Sequence, residues 1–246
     1  MSKYKMISKI PFITKEEMMQ VDRLMVEQYK ISLIQMMENA GRNLASLSRN
    51  LFFNGKIINK KILVLAGNGA NGGGGLVCAR HLINWGSDVK IIITKNENDF
   101  IGVPKHQLDI LKNMKVNIYQ FDDYPKSFNA DLIIETLVGY SLNGAPEGNV
   151  KELIEIANKD KAKILSLDIP AGIDLSKEKA FEPTINADAV LTLAMPKKGM
   201  EKKEIKKYIN NLYLADISVP DSLYKLLPSI INVNNIFSES EIVRVW

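Results

Sequence analysis

Cysteine is almost missing from the chain: Cys78 stands alone, so no internal disulfide can form and the fold must be held by its core. Histidine is nearly as scarce. His81 and His106 have no imidazole or thiolate partner at metal-ligand spacing, which removes a zinc finger or a His-built zinc enzyme. No nucleophilic triad is visible around them. Cys78 and His81 read as packing or polar capping on a buried helix. No apolar run approaches the length of a membrane span, and the opening MSKYKMISK has no hydrophobic signal core. A soluble, cytoplasmic protein without membrane contact is therefore expected. Neither sign of charge dominates: 32 basic residues face 28 acidic ones, and the net charge of +4 is not that of a dedicated nucleic-acid binder. There is no internal repeat, no low-complexity linker and no shift in composition.

The 246 residues, 46% of them hydrophobic, can bury a full core. Thr14 to Glu17 is a capping box, followed by Met18, Val21, Leu24 and Met25 at helical spacing. Ser32 to Gln35 is a second one. It opens a helix whose apolar face runs Leu33, Met37, Ala40, Leu44, Leu47 and Leu51 and which stops at Asn54-Gly55. From Lys61 the pattern alternates. Strands are predicted at 62–65, 89–93, 116–119, 132–135, 163–167, 189–193 and 212–217, with helices at 76–86, 105–114, 150–158 and 201–209. That alternation predicts an α/β fold, a three-layer Rossmann-like sandwich with a mostly parallel central sheet. One domain spans 1–246: a helical arm to residue 55, a core over 56–220 and a weakly patterned tail over 221–246 lying on the surface.

The segment KILVLAGNGANGGGGLVCARHL places six glycines among the nine residues from Gly67 to Gly75, directly after the first predicted strand. Bare backbone at a strand's carboxyl end, leading into a helix N-terminus, suits an anionic or phosphate-bearing ligand. The run satisfies G-x-G-x-x-G. The second predicted strand ends without a carboxylate before Glu97, which argues against a classical dehydrogenase, and the run carries no lysine, which removes a Walker loop. Two further strand ends carry acids. Asp168 is followed by Pro170 and Gly172 and is well placed as a general acid/base. Glu135 precedes a glycine-punctuated loop, Gly139 to Gly148.

The glycine run resembles that of the NAD(P)H-hydrate epimerases, the YjeF N-terminal domain family. The resemblance continues through Met37-Glu38-Asn39-Ala40-Gly41-Arg42, Glu135-Thr136-Leu137-Val138-Gly139, Leu167 to Asp174, Ala187-Asp188 with Pro196-Lys197-Lys198-Gly199, and Asp216 to Pro220. It implies interconversion of the C6 epimers of hydrated NADH or NADPH, with Asp168 catalytic. It places substrate against Ala70, Asn71, Gly72, Gly73, Gly74 and the loop Gly139, Tyr140, Ser141, Leu142, Asn143, Gly144, Ala145. It implies a potassium ion held through Asn71, Glu135 and backbone at Ala171, and a homodimer built partly from the arm between Thr14 and Leu51.

Ala70, Gly74, Glu135 and Ala171 depart from the family's asparagine, aspartate, aspartate and serine, so activity, substrate and ion requirement have to be tested on this chain. The other reading is a non-catalytic nucleotide- or RNA-binding dimerisation module on the same fold, as in the decapping-enhancer proteins. It draws on the basic cluster Lys197, Lys198, Lys202, Lys203, Lys206 and Lys207, which otherwise reads as a solvated helix face. Met36 and Met37 read as core or dimer seam.

Overall fold

Both N-terminal helices start where their capping boxes place them. In the computed structural model, which describes residues 4–7, 9–124, 128–233 and 235–246, α1 runs Lys15–Glu27 and α2 Leu33–Phe53. The Glu17 N–H donates to Thr14 Oγ1 at 3.1 Å and the Thr14 N–H donates back to Glu17 Oε2 at 2.9 Å. Such a reciprocal pair satisfies two N–H groups that a helix start would leave unbonded. At the other end of α2, Asn54 takes the left-handed conformation, φ 49°, which its short polar side chain tolerates.

Beyond the arm the chain alternates as expected: β1 (Lys61–Ala66), α3 (Ala70–Asn84), β2 (Asp88–Ile93), α4 (Gly102–Asn113), β3 (Ile118–Gln120), β4 (Leu132–Thr136), α5 (Gly148–Lys159) and β5 (Lys163–Leu167). There follow a short antiparallel pair, β6 (Ile173–Asp174) with β7 (Lys179–Ala180), then β8 (Ala189–Leu193), α6 (Lys203–Lys206), β9 (Leu212–Ala215), α7 (Asp221–Tyr224) and β10 (Ile242–Arg244). Eight strands form one sheet in the order β10-β9-β8-β5-β4-β1-β2-β3. Every pairing in it is parallel except β10 with β9. Strand β1 shows why both faces are covered: Ile62, Val64 and Ala66 point to one core, Leu63 and Leu65 to the other. On the first side α2, α3 and α4 contribute Leu44, Leu47, Leu76, Leu82, Leu108 and Leu111. On the second, α5 contributes Leu153, Ile154 and Ala157. Each such leucine, fully buried, stabilises by about 1.5–3 kcal/mol before the entropy of ordering it is subtracted.

Three expectations change. Helix α3 starts at Ala70, six residues before the predicted start at Leu76, so most of the glycine run is helix rather than loop. The lysine-rich helix expected over 201–209 is a single turn, α6. The tail is not a surface wrap: β10 closes one edge of the sheet, and Leu223, Tyr224, Leu227, Ile231 and Val233 are buried.

The tail also accounts for the arm. The apolar face of α1, Met18, Val21 and Met25, is buried in one cluster with those tail residues and with Leu214 and Val243 of the edge strands. The arm thus finds its cover inside the chain, over the sheet edge, and needs no second subunit for it.

Chain order runs β1-β2-β3 toward one edge and then returns to β4 on the other side of β1. The reversal falls between β1 and β4. At such a switch point the two following loops diverge and open a crevice at the carboxyl ends of the strands.

Candidate active site

The glycine run meets a packing demand before any ligand. A Cβ on Gly72 would lie 1.8 Å from the Gly67 carbonyl oxygen, and one on Gly75 2.1 Å from Thr136 Oγ1. Helix α3 is therefore pressed against the ends of β1 and β4 more closely than any side chain allows. A Cβ on Gly73 would meet Met37 of α2, and neither Gly72 nor Gly73 lines the crevice.

The crevice holds a cavity of about 300 Å³. Asn68, Gly69, Ala70, Asn71 and Gly74 line it from the start of α3, and Leu137, Val138, Gly139, Tyr140 and Ser141 from the loop after β4. Leu167 and Asp168 close it at the end of β5, Leu193 and Lys197 after β8. The arm supplies most of the remaining wall, with Met18 and Asp22 from α1 and Leu33, Met36, Met37 and Ala40 from α2, and Ile217 completes it after β9. Of the residues expected at the substrate, Ala70, Asn71, Gly74, Gly139, Tyr140, Ser141 and Asp168 come together here. Gly72, Gly73, Leu142, Asn143, Gly144 and Ala145 do not line it. The Gly144 N–H instead donates to Asp174 Oδ2 at 2.9 Å, tying the far part of that loop to β6.

Asp168 is 4% exposed and sits at φ 65°, a backbone conformation that an aspartate tolerates better than most residues. Its Oδ1 accepts from the Lys197 ammonium, from Thr192 Oγ1 at 3.1 Å and from the Leu193 N–H at 3.3 Å. Lys197 also donates to Thr192 Oγ1 at 3.1 Å and to the Leu193 carbonyl at 2.9 Å, which spends all three of its N–H bonds. Among the described residues nothing bonds to Asp168 Oδ2. One oxygen is thus anchored and the other is open. Lys197 was expected on a solvated face and is instead 0% exposed. Lys198, Lys202, Lys203, Lys206 and Lys207 are the exposed remainder of that cluster.

Glu135, at the end of β4, is 0% exposed and does not line the cavity. The Leu137 N–H donates to its Oε1 at 2.8 Å and the Ala171 N–H to its Oε2 at 3.3 Å. Burial pushes its carboxyl up to about 7, against the pull of the Ser166 hydroxyl and of those two backbone donors. Ala171 brings no side-chain oxygen, and its carbonyl accepts from the Ile185 N–H at 2.8 Å. The Asn71 amide has no hydrogen-bond partner among the described residues, and its Nδ2 is buried.

Cys78 is fully buried, and burial holds its thiol far above the usual range. His81 Nε2 lies 2.8 Å from Glu38 Oε1. Neither reaches the cavity. Asp22 and Lys197 are the two ionisable wall residues not singled out as site residues from the sequence. Only the family-like Pro196-Lys197-Lys198-Gly199 segment pointed toward the second, and nothing pointed toward the first.

Residues 33–199 match the family model described as YjeF-related protein N-terminus. The chain belongs to that family. A curated relative from Dehalogenimonas lykanthroporepellens, named NAD(P)H-hydrate epimerase, is 37% identical over 215 residues, covering 86% of this chain and 84% of the relative. A bifunctional NAD(P)H-hydrate repair enzyme from Moorella thermoacetica is 33% identical over 86% of this chain, which spans 41% of that longer protein. The fold of this YjeF-related chain is shared with the crystal structure of the yeast protein YNL200c: TM-score 0.79, 24% identity, 96% of this chain and 100% of the other covered.

Proposed function

We propose that this YjeF-related chain interconverts the C6 epimers of hydrated NADH and NADPH. The observation that carries the reading is the open Oδ2 of Asp168 in a cavity at the sheet's switch point, its other oxygen anchored by a buried lysine. The names of the relatives support the same reaction, and they do not favour a non-catalytic RNA-binding platform.

The chemistry needs little more than a placed carboxyl group. The reacting carbon carries a hydroxyl beside a ring nitrogen. When the hydroxyl is protonated it departs as water, and the nitrogen lone pair forms an iminium. Water then returns to the other face. A carboxyl within hydrogen-bonding reach can give the proton or take it, and a desolvated carboxylate stabilises the passing cation more than it would in bulk water. The cavity suits the nicotinamide end. The first N–H groups of α3, at Ala70 and Asn71 on the cavity wall, would receive an anionic part of the substrate.

The donor chemistry also fits a potassium ion. Glu135 is a buried carboxylate with no cation bonded to it among the described residues, the Asn71 amide is unpartnered, and amide, carboxylate and backbone oxygens suit a hard cation. Asn71, Glu135 and the backbone at Ala171 would hold the ion, and its role would be to neutralise Glu135. The sign of the pH effect follows. A carboxyl raised to about 7 when folded costs stability progressively as pH rises from its ordinary value to 7. An ion bound beside the ionised form offsets that cost, so potassium should raise the melting temperature more at pH 8 than at pH 5.5. Matched scans in potassium and choline chloride measure this, with Glu135→Gln as control. Equal curves at pH 8 would leave the site without an ion.

The assembly we propose is a homodimer. It rests on apolar side chains that the arm leaves exposed, Met19 at 54%, Val26 at 44%, Leu33 at 39% and Ile34 at 37%. Sedimentation at micromolar concentration should give twice the chain mass, and a clean monomer would exclude the dimer.

A further inference from the structure

Inversion at one carbon makes a demand that a single fixed carboxyl meets poorly. The hydroxyl leaves from one face of the ring and water returns on the other, so protons must be handled on both. The cavity contains a second carboxylate. Asp22, on α1, lines it together with Asp168 and comes from a different wall. The two differ in company. Asp168 Oδ1 is held by an ammonium, a hydroxyl and a backbone N–H. Asp22 accepts one hydrogen bond, from Tyr140 Oη to its Oδ2 at 2.5 Å, and its Oδ1 has no partner among the described residues. Tyr140 is itself a wall residue, on the loop after β4.

Burial raises the Asp22 carboxyl above its ordinary range. The Tyr140 hydrogen bond and the Lys197 charge pull it down, and the Asp168 charge adds to the rise. Among the described residues those three are the titratable or charged groups acting on it. The two carboxyls of one cavity thus sit in different company, one ion-paired with a buried ammonium and one held by a single phenol.

We propose that Asp22 is a second catalytic acid/base of this cavity, serving one face of the ring while Asp168 serves the other. The proposal rests on the epimerase reading above. In one direction the protonated Asp22 gives its proton to the hydroxyl oxygen. The carbon–oxygen bond breaks, its electron pair leaves on water, and the ring nitrogen lone pair becomes the second bond of the iminium. A water on the opposite face then bonds to the carbon, the iminium pair returns to nitrogen, and Asp168 takes the excess proton of the new hydroxyl. No electrons are gained or lost. The proton has moved from Asp22 to Asp168 and re-equilibrates with solvent between turnovers, and the opposite conversion uses the same two groups in reverse. Tyr140 is a positioning residue, holding the Asp22 carboxyl from across the cavity mouth.

The test is the rate from a single epimer, as a function of pH, in the wild-type chain, Asp22→Asn and Tyr140→Phe. Asp22→Asn should lower kcat by about 10²–10⁴-fold, the range general acid/base groups supply, with KM nearly unchanged. In the wild type, conversion that begins with protonated Asp22 should fall as pH rises through that group. Removing the tyrosine hydroxyl takes away a bond favouring the ionised form, so Tyr140→Phe should move the limb to higher pH. A wild-type rate in a folded Asp22→Asn protein overturns the proposal. If that variant does not fold, an unmoved limb in Tyr140→Phe overturns it instead. A wild-type chain that epimerises nothing fails the functional reading itself, which keeps the two failures apart.

Discussion

Asp168→Asn should lower epimerisation by about 10²–10⁴-fold while leaving a folded protein. The asparagine keeps the shape, keeps an oxygen for Thr192 and for the Leu193 N–H, and tolerates the φ of 65° at this position. What it cannot do is take a proton or carry a charge. Alanine is a poorer test. From the sequence alone, Asp168→Ala is expected to leave the melting temperature nearly unchanged. The Lys197 ion pair reverses that expectation: either substitution leaves the buried ammonium without its counter-charge, but asparagine still offers it an amide oxygen, whereas alanine offers none and puts a methyl side chain in the left-handed region. Rates from a purified epimer, set beside thermal scans of both variants, separate the two effects. A fully active Asp168→Asn protein would remove the carboxylate from the chemistry.

Lys197→Met should destabilise the protein by about 3–5 kcal/mol. Both partners of the pair are buried, at 0% and 5% side-chain exposure. Taking away the ammonium leaves the aspartate charge with only a hydroxyl and one backbone N–H for support. For a chain of this size the loss corresponds to a fall in melting temperature of at least about 6 °C. Adding Asp168→Asn to Lys197→Met removes the stranded charge and should restore part of the stability, so the two effects should be strongly non-additive. Denaturant unfolding of the two single variants and the double variant reads the coupling. Additive losses would mean that the lysine stabilises through its aliphatic packing instead.

Local chemistry made much of this molecule readable in the sequence. The capping boxes at Thr14 and Ser32 start helices there because each satisfies its own unbonded N–H groups within four residues. The strands at 163–167 and 189–193 are apolar runs covered from both sides, and their bounds coincide with β5 and β8. The start of α3 was not readable, because Gly72 to Gly75 have the poorest helix propensity short of proline. They are helical because β1, β4 and α2 pack against their bare backbone, a tertiary demand that no local pattern carries. Strand β10 is three residues long and is paired by β9, nearly thirty positions earlier. Asp168 stood out as an acid closing an apolar strand. Asp22 did not, since a lone acid on a helix is ordinarily a solvated one, and only the folding of the arm over the cavity brings it near Asp168.

The most direct measurement of the central claim follows one purified epimer of hydrated NADH with the wild-type chain in ¹⁸O-labelled water. Loss and return of the hydroxyl at this cavity predict that the second epimer accumulates far faster than without protein, carrying the heavy oxygen at the inverted carbon, and that Asp168→Asn suppresses both signals together. An epimer that persists at its spontaneous rate, or inversion without label, would contradict the account.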